Sequence, residues 1–238
     1  YIYIYIYIYI QGASEGAGLG NKFLTNIRMT DAIVHVVRCF VDDDIIHVDG
    51  NVDPLRDVEI INLELILADM AQIEKKLEKS RKDKFKTTPE ELAALEKVNG
   101  ALVLGKPARQ AGLTLEEEFL IKGLLLLTMK PVIYAANVSD ADMANGNDLS
   151  KIIFDFAASE GSTAVLVSAQ VESELALLEP EDKAEYLLDL GVSEEQCGLK
   201  ALVRAAYVSL GLQTYFTSGP TETRAWTINI GMYIYVYI

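Results

Sequence analysis

Short unbroken apolar runs alternate along the chain with longer stretches in which apolar residues recur every three or four positions. The run Ala32-Ile33-Val34-His35-Val36-Val37-Arg38-Cys39, bounded by Asp31 and the acidic trio Asp42-Asp43-Asp44, reads as a fully buried parallel strand, since a strand covered on both faces loses polar alternation. Val132-Ile133-Tyr134-Ala135-Ala136 reads as the next buried strand and Thr163-Ala164-Val165-Leu166-Val167 as a further one. Helical spacing fills the intervals. Ile60, Leu63, Leu67, Met70 and Leu77 predict a long helix from about Asp57 to Lys82, with Asp57 and Glu59 suited to its N-terminal dipole. Thr88-Pro89-Glu90-Glu91 then supplies an N-cap, a first-turn proline and a capping-box glutamate for a second helix bearing Leu92, Leu95, Val98 and Leu102, completing an antiparallel hairpin. A second capping box, Thr114 with Glu117, opens a helix expected to reach Thr128 before Lys130-Pro131 ends it. Helices over 21–29 and 148–159 complete the alternation. Strand and helix in turn predict an α/β fold: a doubly wound, mostly parallel sheet with an inserted antiparallel helical hairpin.

Other segments change this picture. Gly12, Gly16, Gly18 and Gly20 crowd one stretch before the first helix, which Asn21 is placed to cap. Spacing alone leaves a structural turn and a ligand-approaching loop both open. Residues 1–10 repeat Tyr-Ile and 233–238 read Tyr-Ile-Tyr-Val-Tyr-Ile, an uncharged alternation that reads as engineered strand or as a stand-in for unassigned strands. A formal charge of −14 argues against general binding to nucleic acid or anionic membranes. One basic cluster stands against that trend at the hairpin tip: Lys75, Lys76, Lys79, Arg81, Lys82, Lys84 and Lys86, either an RNA contact or a solvated helix end. Cys39 and Cys197 have no metal-ligand spacing, so no metal site is expected and a reducing, cytoplasmic setting fits. No apolar run is long enough to predict a membrane span.

Three groups of residues carry candidate chemistry. Asn137-Val138-Ser139-Asp140 follows the second strand at its carboxyl end, where open α/β sheets place ligands, although the same spacing also makes an Asx turn. Ser168-Ala169-Gln170 ends the third strand in the same way. His35 lies within a buried run and reads as a core histidine; His47 sits beside a turn in an acidic segment, open to a ligand or to solvent alike.

Gly12 through Leu24, Thr30 through Phe40, Leu212-Gln213-Thr214-Tyr215-Phe216-Thr217 and Arg224-Ala225-Trp226-Thr227 together resemble the Obg-like ATPase (YchF) family over roughly residues 12–230. The resemblance implies a P-loop NTPase of the translation-factor GTPase class with a coiled-coil insertion, a C-terminal TGS domain and ribosome association. It implies that Gly12, Gly16, Gly18 and Gly20 belong to the second switch. Asn137, Val138 and Asp140 would form the base-recognition turn, with Val138 on the purine face, and Ser168 and Ala169 the next base-side motif, whose backbone amide contacts the purine. His47 would stand at a proposed catalytic histidine. Val138 in place of the GTPase lysine favours ATP over GTP, while Asp140 in place of the family's usual glutamate restores an acid typical of guanine readers. ATP or GTP with Mg²⁺ is the implied ligand.

Departures from that pattern shape the expectation. No Gly-x-x-x-x-Gly-Lys-Ser/Thr occurs, and Tyr5 and Ile8 stand where the family has the Asp and Gly of Asp-x-x-Gly, so the phosphate and Mg²⁺ ligands are missing. The implied layout is a Tyr/Ile strand at 1–11, the first nucleotide-domain part at 12–56, the helical insertion at 57–112, the second part at 113–211, and a truncated TGS β-hairpin with a final Tyr/Ile strand at 212–238. The expected function is purine-nucleotide binding by a ribosome-linked, hydrolytically incomplete NTPase. The alternatives are a non-catalytic protein or RNA interaction module using the hairpin and its basic tip, and an engineered strand fusion.

Overall fold

The computed structural model describes residues 18–45, 47, 50–82, 87–193 and 197–232. The Tyr/Ile repeats with Tyr5 and Ile8, Gly12, Gly16, Lys84 and Lys86 lie outside them. The chain divides into two compact units, Tyr1–Ile33 with Leu55–Pro131, and Val34–Pro54 with Val132–Ile238.

The first unit is helical. Helix α1 (Gly18–Arg28) begins before the expected Asn21, so Gly18 and Gly20 are helical and Asn21 lies within the helix instead of capping it. The first N–H groups of a helix need no intrahelical partner, and glycine is least costly there. Helix α2 (Pro54–Lys82) likewise starts earlier than expected, on a proline whose fixed φ suits the first helical position. It forms the anticipated hairpin with α3 (Pro89–Val103): Ile66, Ile73 and Leu77 share a buried cluster with Ala94, Leu95, Val98 and Leu102. Thr88 caps α3 through Glu91 N at 3.2 Å, but the Glu91 carboxylate, expected to complete a capping box, pairs with Lys76 Nζ at 2.8 Å.

Helix α4 (Leu115–Ile121) has the full Thr114–Glu117 capping box but stops well short of Thr128, giving way to 3₁₀ turns at Lys122–Leu124 and Leu127–Met129 with Leu125 at φ +50°. The cause lies in α2. The fully buried Asp69 carboxylate accepts Leu127 N at 3.0 Å, Thr128 N at 2.7 Å and Thr128 Oγ at 2.8 Å, so these amides turn to a side chain and no helix runs through Leu127 and Thr128. Arg28 donates to the same carboxylate at 3.0 Å and to Leu125 O at 3.2 Å. Lys130 donates to Arg28 O at 3.0 Å and also to Thr30 O, satisfying carbonyls where α1 ends. Burial pushes the Lys130 ammonium below its ordinary range, with Asp31 acting in the opposite direction.

The second unit holds a sheet in the order β1 (Ile33–Arg38), β2 (Val132–Asn137), β3 (Thr163–Val167). Strands β2 and β3 are parallel, from Ile133 opposite Thr163 to Asn137 opposite Val167. β1 runs the same way, since Ile33 N bonds Pro131 O at 3.0 Å and Cys39 N bonds Asn137 O at 2.7 Å. Central β2 is buried from Val132 to Ala136. β1 is not fully buried as expected: within the strand Val37 is covered while Val36 is 44% exposed, because among the described residues β1 is an edge strand. Ile133 and Ala135 pack on Leu202 and Ala205 of α8 (Gly198–Ser209). Tyr134, on the opposite face by strand alternation, meets Phe156 of α5 (Asp148–Glu160) edge-on at 5.6 Å. Helices therefore cover both faces, as a doubly wound sheet requires. Helices α6 (Ala169–Leu177) and α7 (Pro180–Asp189) precede α8, and β4 (Leu212–Ser218) pairs antiparallel with β5 (Thr223–Asn229).

Candidate functional site

The carboxyl ends of β2 and β3 bring the two polar turns together. Asn137 Oδ1 accepts the Ala169 backbone N–H at 2.9 Å, so the amide implied to meet a purine is engaged by Asn137. Val138 N continues the ladder to Val167 O at 2.9 Å, and its side chain is buried and withdrawn from solvent. Ser168 is fully buried and caps α6 by accepting Val171 N at 3.4 Å, so what reads as a polar turn in the sequence is a helix start. Asp140 is exposed; one carboxylate oxygen accepts Ala141 N at 2.8 Å and its carbonyl accepts Met143 N at 3.1 Å.

An acidic side wall stands behind this turn. Glu174 of α6 accepts Gln170 Nε2 at 3.1 Å and the Tyr186 hydroxyl of α7. These bonds hold Glu174 below its ordinary range, while the bond to Glu174, burial, and the charges of Glu174 and Asp140 push the Tyr186 phenol up to about 12. Tyr186 therefore remains a proton donor throughout the neutral range. Beyond it, the Cys197 thiol donates to Glu172 Oε1 at 3.1 Å, and burial followed by Glu172 raises its pKa to about 11, making it a poor nucleophile. Gly198 opens α8 against β3: a Cβ there would stand 3.0 Å from Val167 Cα.

His47 is partly buried in the loop after β1, its carbonyl accepting Gly50 N at 3.1 Å. Arg38 fastens the loop leading to it, donating to Phe40 O and Ile45 O at 3.1 Å and to Asp42 O at 3.3 Å while lying over the Phe40 ring. Of the hairpin cations, Lys76 is paired with Glu91, and Arg81 approaches Glu96 at 3.8 Å. Among the described residues no group of three or more His, Cys, Asp or Glu is arranged to hold a metal ion, and no helix is long and apolar enough to cross a membrane.

Sequence reasoning missed Asn147. It caps α5 by accepting Ser150 N at 2.9 Å, and the Asn-x-x-Ser spacing ahead of an apolar helical stripe was the available signal.

No family model matches the chain. It is similar to the ribosome-binding ATPase YchF of Bacillus subtilis (49% identical, covering 93% of this chain and 62% of that protein) and to its namesake in Escherichia coli O157:H7 (46% identical, 93% and 61%). Among solved structures it is similar to the Schizosaccharomyces pombe YchF GTPase, with a TM-score of 0.78 at 37% identity, covering 94% of this chain and 62% of that one. The chain thus spans about three fifths of the relatives it matches. On sequence and fold together, it is a homologue of the YchF proteins over that part of their length.

Proposed function

We propose that the second unit holds the base of a purine nucleotide at the carboxyl ends of β2 and β3, as the base-side half of a nucleotide site. The observation that carries this reading is the Asn137–Ala169 bond, which joins the two turns across neighbouring strand ends where parallel sheets place ligands. The names of the relatives, ribosome-binding ATPase and GTPase, support a nucleoside triphosphate as ligand. Asn137 keeps its Nδ2 for a purine edge, and the exposed Asp140 stands ready as an acceptor for a base N–H. Val138 in place of a lysine favours ATP over GTP, whereas Asp140 pulls toward guanine. By the resemblance Gly12, Gly16, Gly18 and Gly20 belong to the second switch and His47 stands where the family carries a proposed catalytic histidine, with Arg38 fastening the loop that leads to it.

These 238 residues contain no Gly-x-x-x-x-Gly-Lys-Ser/Thr, so we assign them the base side of the site and not the phosphate side. We further propose a cytoplasmic, ribosome-linked role, in which Lys75, Lys79 and Lys82 of the hairpin tip reach RNA. The non-catalytic interaction module remains the second reading, favoured by the same basic tip in an otherwise acidic chain. Isothermal titration with ATP, GTP and CTP separates them. Purine binding without CTP binding, weakened by about 1–3 kcal/mol in Asn137→Ala through lost buried hydrogen bonds, supports the nucleotide site. Equal binding of all three nucleotides, or none, removes it.

A further inference from the structure

The base-side turn is not held by its own residues alone. Asn137 O accepts Cys39 N at 2.7 Å, and Cys39 O accepts Asn147 Nδ2 at 2.8 Å. The same Nδ2 donates to Asp142 Oδ2 at 2.8 Å, and that oxygen also accepts Ser139 Oγ at 2.9 Å. These bonds close a circuit through the end of β1, the turn after β2 and the start of α5. Both hydrogens of one amide are spent on it: one on a backbone carbonyl, the other on a carboxylate. Gly146 makes the aim possible. Its φ of +70° and the bond from its N–H to Asp142 O at 2.7 Å swing the chain back so that Asn147 faces the turn, and a Cβ there would press to 2.7 Å of Ser150 Oγ.

We infer that Asn147, acting through Asp142, is a positioning residue that sets the geometry of the Asn137–Asp140 turn and thereby its discrimination between purine bases. The inference rests on the base-binding reading above and adds residues to it that touch no base themselves. Asn147 has two separable duties. Its Oδ1 caps α5 through Ser150 N, and its Nδ2 bridges Cys39 and Asp142. Serine is as good an N-cap as asparagine but brings no amide to the bridge, so Asn147→Ser removes the second duty and leaves the first. Asp142→Ala removes the shared acceptor without touching the cap. The cap alone therefore does not account for what both variants would lose.

The test pairs hydrogen exchange with titration of the whole chain. In Asn147→Ser and Asp142→Ala, amides over 138–143 exchange about tenfold faster while the α5 amides keep their protection, as expected of a local loosening. The ratio of ATP to GTP affinity shifts toward unity by about fivefold, comparable to one lost hydrogen bond. A structural role confined to the cap would leave that ratio where it was. Unchanged exchange over 138–143 in both variants overturns the inference. So does faster exchange with an unchanged ratio in a chain that binds both purines. If the unsubstituted chain binds neither purine, the base-binding reading fails, and with it the claim of base discrimination, while the exchange result separately decides whether Asn147 holds the turn.

Discussion

Replacing Asp69 with alanine tests the idea that one side chain of the hairpin dictates the path of residues 121–130. The buried carboxylate receives four donors: Leu127 N, Thr128 N, Thr128 Oγ and an Arg28 guanidinium nitrogen. Removing it leaves two backbone N–H groups without acceptors in the interior, each worth about 1–3 kcal/mol of desolvation. Arg28 also loses its counter-charge. Breaking a fully buried pair costs about 3–5 kcal/mol, but the Arg28 side chain keeps 19% exposure and water recovers part of that loss. These costs overlap, and the expected total for Asp69→Ala is about 3–5 kcal/mol, a large share of the roughly 5–15 kcal/mol typical of a folded domain. Asp69→Asn keeps one oxygen, but its NH₂ must face donors on one side of the cradle, so it recovers only part of the loss. Urea unfolding followed by far-ultraviolet circular dichroism gives the change from a shifted midpoint at constant slope, and hydrogen exchange locates it at Leu127 and Thr128. A loss below about 1 kcal/mol, the scale of an ordinary surface change, would refute the reasoning.

Two further predictions concern the end of β3. The Cys197 thiol, moved from its ordinary 9.0 to about 11, keeps its proton longer in the folded chain than in the unfolded one, so its contribution is complete below pH 9 and is lost as pH rises toward 11. Iodoacetamide labelling of Cys197 followed by mass spectrometry should show a rate midpoint near pH 11 that falls in Glu172→Gln; a midpoint near 9 in the unsubstituted chain would contradict this. Gly198→Ala gains helix propensity yet forces a methyl to 3.0 Å of Val167 Cα, and a thermal melt should show a net loss of about 1–3 kcal/mol from overpacking. A gain in stability would mean that the start of α8 yields freely.

What the sequence reveals depends on how locally each feature is determined. β2, β3, the Thr88 and Thr114 caps and the α5 span all follow from residues within a few positions of one another, and the structure matches them. Where α4 ends is different. The apolar run Leu124–Leu127 is compatible with continued helix, and the carboxylate that takes the amides of Leu127 and Thr128 instead lies 58 and 59 positions away from them. β1 shows the converse error, since its composition is that of a covered strand while its exposure depends on which neighbours flank it. Helices α6, α7 and α8 have no counterpart in the sequence reading. At the candidate site, residue types and locations at the strand ends were legible from spacing, whereas the partners were not. Nothing local to Asn137 indicates that its oxygen goes to Ala169, and nothing near Cys39 points to an amide more than a hundred residues later.

The fastening of α1 at one end has a mechanical consequence. Arg28 is tied to Asp69, and Lys130 grips the carbonyls of Arg28 and Thr30. The helix runs eleven residues from Gly18 to that heel at Arg28, a rod of roughly 16 Å at the usual helical rise. A push applied at Gly18 therefore cannot slide α1 along its axis without breaking the heel. It can only swing the helix about that fixed point, turning a small displacement at the glycine-rich end into a rotation of the face that carries Phe23, Leu24 and Ile27 against Ile61 and Leu65.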